Sequence, residues 1–172
     1  MRDPLPDAGH RAPLSRRVRV IGIGSEPGGD DAAGLVAVRR AAPGLAHIPN
    51  VELIEAGAAL NAVHLFAEVD AVILVDAVRT SGPTPRPGRL VRAEVGPAGL
   101  PGSMRSSLSS HGVGVGEAIA LAAAVGDVPT VLVLGVEVGA TTGGEGMSPP
   151  VEAALEALVA RIVTEAERLS SP

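Results

Sequence analysis

The sequence predicts one three-layer α/β domain, a mostly parallel twisted sheet of about five strands flanked by helices on both faces. Three observations carry that expectation. Short runs rich in Val, Ile and Leu alternate with segments whose apolar residues recur at helical spacing. The run 71–75 is apolar throughout, as in a strand buried on both sides by covering helices. At 172 residues the chain has room for one core of ordinary size and no need of a second.

The elements follow in order. Residues 1–17, rich in Pro and Arg, read as a disordered N-terminal extension, and 18–172 as the domain. A first strand spans 18–23 and a glycine-rich turn follows over 24–29. Asp30 and Asp31 open a helix that runs to about Ala42, where Pro43 and Gly44 end it. Residues 51–55 form a short second strand. Leu60, Val63 and Phe66 give 59–68 helical spacing, and the buried strand 71–75 is closed by Asp76. Pro83, Pro85 and Pro87 make an irregular loop before an edge strand within 88–95. Residues 96–110 have no periodicity and read as a mobile loop, as does the glycine-rich stretch 139–146. Between them lie a helix over 113–125 and a last central strand over 130–136. The final helix starts at Ser148 and Pro149, a good N-cap and a good first residue, and repeats Val151, Leu155, Leu158 and Ile162 on one face. No internal repeat is present.

Composition removes several kinds of chemistry. There is no cysteine, hence no disulfide, thiolate nucleophile or thiolate metal site. There is no lysine either, which excludes a Schiff base, a Ser-Lys pair and the lysine of a phosphate-binding loop. A net charge of −5 with scattered arginines offers nothing to nucleic acid. No apolar run approaches the ~20 residues of a membrane span, and the N-terminal stretch lacks the apolar segment of a signal peptide, so a cytoplasmic protein is expected.

In a sheet of this class, ligands bind beyond the carboxyl ends of the strands. Asp31 follows the first strand, Asp76 closes the third, and His111 directly precedes a helix, so all three are expected at one edge. Two carboxylates and an imidazole suit a borderline divalent metal and leave positions open for water or substrate. Either acid of the Asp30–Asp31 pair also suits a helix cap, and a lone His before a helix suits an ordinary loop. The turn at 24–29 is not a dinucleotide fingerprint, because Pro27 stands where the third glycine belongs. Ser25, Ser109 and Ser110 lie outside any G-x-S-x-G elbow, which counts against a Ser-His-Asp triad.

Taken together, the segments resemble the hydrogenase maturation endopeptidases, which trim the C-terminus of the large subunit of nickel-iron hydrogenases. The stretch from Val20 through Gly24-Ser25 to Gly29-Asp30-Asp31-Ala32-Ala33-Gly34 is similar to the family's first strand and its G-x-G-N…D-[DE]-x-x-G block. Val72 to Val78 resembles its strand ending in Asp-Ala, followed by Pro87-Gly88. Ser110-His111-Gly112-Val113-Gly114 resembles its histidine segment. Leu134-Gly135-Val136-Glu137 and Met147-Ser148-Pro149-Pro150-Val151 resemble its late strand and the start of its last helix. The order is preserved from about Val18 to Leu169.

The resemblance implies a hydrolase, an aspartyl-type endopeptidase, whose metal-contacting and catalytic residues fall on Asp31, Asp76 and His111. Asp30 then becomes the cap. It implies nickel, supplied by the precursor, with another divalent metal as the alternative. The implied partner is a nickel-iron hydrogenase large-subunit precursor, and a monomer with no nucleic-acid or membrane partner is expected. Two departures stand out: Ser25 replaces the usual Asn, and Glu55-Ala56-Gly57-Ala58 replaces Asp-Gly-Gly-Thr. The alternatives are a non-catalytic nickel-sensing checkpoint or chaperone and a small-molecule hydrolase on a similar scaffold.

Overall fold

A computed structural model describes residues 15–26, 29–79, 84–95, 115–126, 128–139 and 146–172. Its five strands are β1 Val18–Ile23, β2 Val51–Gly57, β3 Ala71–Val78, β4 Leu90–Val95 and β5 Thr130–Glu137. They form one sheet in the order β2-β1-β3-β5-β4, parallel except for β4, which runs antiparallel along the edge of β5. The helices are α1 Ala33–Leu45, α2 Val115–Val125 and α3 Pro149–Ser170.

Side-chain alternation along the strands feeds two cores. Ile73, Val75, Leu132 and Leu134 face α1 and α3, where Val38, Leu155, Leu158 and Ile162 meet them. Val72, Leu74, Val131 and Val133 face the opposite layer, built from Phe66 and Ile119. Every residue of β3 is buried, which explains its unbroken apolar run. With a single aromatic residue in the chain, the cores are filled almost wholly by aliphatic side chains.

The structure departs from the sequence reading in several places. Asp30 and Asp31 do not open the α-helix; they lie in a 3₁₀ turn, Gly29–Ala32, that precedes it. Pro43 does not end α1. Near a C-terminus a proline forfeits only one backbone bond, and burial of Ala41 and Leu45 keeps the chain helical past it. Gly44 lets α3 approach: a Cβ there would sit 2.8 Å from Val163 Cγ2. Residues Ala59–Phe66 are 3₁₀ rather than α-helical. β2 extends to Gly57 and β5 to Glu137. Asp76 does not close β3, because pairing with β5 continues through Asp76↔Gly135 to Val78↔Glu137.

Residues 15–17, read as the end of the extension, are hydrogen-bonded into the domain. The Arg17 N–H donates to Asp70 Oδ2 at 2.7 Å and the Arg16 N–H to the Ser170 carbonyl at 3.2 Å. Residues 1–14 and the expected loops over 96–110 and 140–145 lie outside the described residues.

From β1 the chain winds through α1 to β2 on one side, while β3 lies on the other side of β1. The junction of β1 and β3 is thus where the winding reverses. In doubly wound sheets the ligand crevice opens there, at the carboxyl ends of the strands.

Candidate active site

Two glycines determine how the chain crosses that junction. Gly24, at φ +149°, passes so close to the 3₁₀ turn that a Cβ would lie 2.2 Å from the Asp31 carbonyl oxygen. Gly34, in the first turn of α1, rides directly on the ends of β1 and β3. A Cβ there would meet the Ile23 and Val75 carbonyl oxygens at 2.2 and 2.4 Å. Helix and sheet can approach this closely only without a side chain. As a result the turn carrying Asp31 sits over the strand that carries Asp76.

Asp76 is 6% exposed. Burial pushes its carboxyl up from 3.8 to about 7, a backbone hydrogen bond from Ala77 works against the rise, and the nearby charge of Asp31 adds to it. Two of the three residues expected at the site are therefore brought within electrostatic reach of each other, from different elements. Arg19, Arg39, Arg40, Arg89 and Arg92 hydrogen-bond to other acids, Glu52, Glu55, Glu152, Glu137 and Glu165. Two neighbouring carboxyls suit a divalent cation, and a carboxyl near pKa 7 exchanges protons at neutral pH. His111 lies outside the described residues, and among those described no three His, Asp or Glu side chains cluster as a metal site.

Asp30 does something the sequence reading did not foresee. Its carboxylate caps no helix of its own, and the residue at the N-cap of α1, Ala32, makes no side-chain bond. Instead Asp30 Oδ1 accepts the Ser148 backbone N–H at 2.6 Å and Oδ2 accepts the Ser148 hydroxyl at 2.9 Å. Glu137, at the end of β5, is a second acid whose role the sequence does not announce. It is 1% exposed and accepts the Arg86 backbone N–H at 3.0 Å and Arg89 Nε at 2.6 Å, tying down the segment that leads into β4. An acid terminating the apolar run 131–136 was the signal that could have found it.

The domain is thus doubly wound, with the buried Asp76 and the half-buried Asp31 neighbouring each other at its switch point, and its first turn lacks a dinucleotide fingerprint. The family model for hydrogenase maturation proteases matches residues 37–165. That span contains Asp76 and His111 and begins after Asp31. The fold is also that of the maturating endopeptidase HybD from Escherichia coli, at TM-score 0.70 and 22% identity over 88% of this chain and 93% of that one. HycI, a NiFe hydrogenase maturation protease from Thermococcus kodakarensis, aligns at TM-score 0.67 and 24% identity over 90% and 94%. A hydrogenase 2 maturation peptidase from a Thaumarchaeota archaeon aligns at 0.62 and 25% over 87% and 97%. No curated protein sequence matches significantly. The chain belongs to the hydrogenase maturation protease family and is an endopeptidase.

Proposed function

We propose that this endopeptidase removes the C-terminal extension of a nickel-iron hydrogenase large-subunit precursor once nickel has been inserted, and that Asp31, Asp76 and His111 are the residues that engage the metal. The observation that carries the reading is the buried Asp76 carboxyl beside Asp31, at the junction where the winding of the sheet reverses. The nickel arrives as part of the substrate. It supplies Lewis acidity toward the scissile carbonyl or the attacking water.

The protein's part is selection and placement. Before substrate arrives, Asp76 is partly protonated at neutral pH, because its burial disfavours the ionised form and the charge of Asp31 adds to that. A divalent cation displaces that proton and is held by both acids, so a loaded precursor binds where an unloaded one does not. Metal contact then sets the register of the peptide, and the reacting groups meet as if in one molecule. The protein acts in the cytoplasm as a monomer.

The test is to incubate the protein with nickel-loaded and nickel-free precursor and read the C-terminus by mass spectrometry. A cut in the loaded precursor alone is expected, lost in Asp31→Ala, Asp76→Asn and His111→Ala. Equal cutting of both precursors overturns metal selection. Unchanged cutting by the three variants overturns the site assignment.

A further inference from the structure

We propose that Asp30 is a positioning residue for the reaction: by clamping Ser148 at the start of α3, it holds the 3₁₀ turn so that its neighbour Asp31 faces Asp76. The inference rests on the reading of Asp31 and Asp76 as the working acids.

The clamp follows from the sequence around Ser148. A serine at the N-cap ordinarily accepts hydrogen bonds from the second or third residue of its helix. Here α3 opens with Pro149 and Pro150, which have no N–H to offer. The next donors, the N–H groups of Val151 and Glu152, both go to the Ser148 carbonyl, at 3.0 and 2.9 Å. The Ser148 hydroxyl makes no cap hydrogen bond within its own helix and is free to donate outward. Asp30 receives it together with the Ser148 N–H, one on each carboxylate oxygen. Such paired bonds to an ionised acceptor are short and directional.

The clamp acts on a short turn whose backbone is seated by the close approaches at Gly24 and Gly34, and it adds a side-chain tether to that seating. Gly29–Ala32 is a single 3₁₀ turn, and Ala32 supplies no side-chain cap to the helix that follows. Adjacent residues in such a turn point roughly 120° apart, so anchoring Asp30 toward α3 sends Asp31 elsewhere. The far end of the clamp is itself rigid. α3 is anchored through Val151 and Leu155, both fully buried, and Gly88 (φ +87°) packs where a Cβ would lie 2.5 Å from the Pro150 carbonyl oxygen. Asp30 therefore ties the turn to the buried start of α3.

The experiment compares Asp30→Ala, Ser148→Ala, the double variant and Ser148→Thr on loaded precursor. Arg40→Ala serves as the control, since it removes a different and exposed link between α1 and α3, the 2.8 Å pair with Glu152. Expected is a tenfold to hundredfold fall in kcat for Asp30→Ala with KM within about twofold. A smaller fall is expected for Ser148→Ala, no further loss in the double variant, recovery in Ser148→Thr and full activity in Arg40→Ala. Hydrogen exchange at residues 29–32 should quicken in Asp30→Ala while α3 stays protected. Activity of Asp30→Ala within twofold of the parent, additive losses in the double variant, or a loss confined to KM overturns the proposal. Were the parent not to cleave loaded precursor at all, the functional reading would fail. The exchange at 29–32 would then decide the clamp by itself, unchanged protection overturning it.

Discussion

The carbonyl oxygen of Val75 lies 2.4 Å from the point where a Cβ on Gly34 would have to stand. Val75 is the residue before Asp76 and Gly34 is three residues after Asp31, so this one contact sets how closely the two acids' elements meet. Its neighbours are backbone, which cannot rotate away. Gly34→Ala should lower stability by about 1–3 kcal/mol or more, the usual cost of overpacking, and should depress activity beyond that loss. Gly22→Ala meets the Gly34 carbonyl oxygen at 3.1 Å and the Val38 side chain at 3.2 Å, looser approaches, and is expected to cost less. Urea unfolding midpoints of the two variants decide the order.

Asp76 makes stability depend on pH near neutrality. Its folded pKa, about 7, lies above the ordinary 3.8, so the native state binds the proton more tightly than the unfolded chain. Stability is greatest below about pH 4 on this account and falls as pH rises toward 7, where the penalty levels off. Asp76→Asn removes the penalty while keeping the shape. It should stabilise the protein at pH 8 by about 2–4 kcal/mol, by the conversion of pKa shift to energy, with no gain at pH 4. Denaturant titrations at the two pH values check this.

Asp31 contributes to that shift through its charge. Asp31→Asn should therefore lower the Asp76 pKa without abolishing its elevation, since burial is the larger cause. A carboxyl-carbon NMR titration reads the change directly. An Asp76 curve identical in the two proteins would mean that the acids do not share a site.

The opposite sign holds at Glu165, a buried acid of α3. Arg92 first, then Arg168, hold its carboxyl down to about 2 from 4.5, through hydrogen bonds with Arg92 Nε at 2.7 Å and Arg168 Nε at 2.7 Å. A depressed carboxylate stabilises the fold above its unfolded pKa, and the contribution fades as pH falls from about 4.5 toward 2. Glu165→Gln should cost about 1–3 kcal/mol at pH 7, less than a fully buried pair because Arg92 and Arg168 are partly exposed. Parent and variant should converge by pH 2 in thermal melts.

Leu155 tests the core beneath the clamp. It is fully buried between α1 and the sheet, so Leu155→Ala should cost about 2–5 kcal/mol. Calorimetry gives the value.

Much of this was legible in the chain because local patterns report burial. The unbroken 71–75 run could only be a central strand, and Val151, Leu155, Leu158 and Ile162 could only be one helix face. Pairing partners are not local. That β3 continues past Asp76 depends on β5 lying beside it, and that α1 survives Pro43 depends on what Ala41 and Leu45 touch. The principal partners of Glu137 and Glu165 are not legible locally, because Arg89 and Arg92 lie 48 and 73 positions away along the chain.

By itself, the sequence determined the alternation of strand and helix, the absence of thiol and amine chemistry, and the order of motifs that marks the family. Those properties reside in composition and short-range periodicity. Only the tertiary structure decided that Asp76 is buried beside Asp31 and that Asp30 reaches Ser148 rather than its own helix. Each of those depends on residues 45 or 118 positions apart along the chain meeting at one sheet edge. No local pattern encodes such a distance, which emerges when the strands pair and the helices dock.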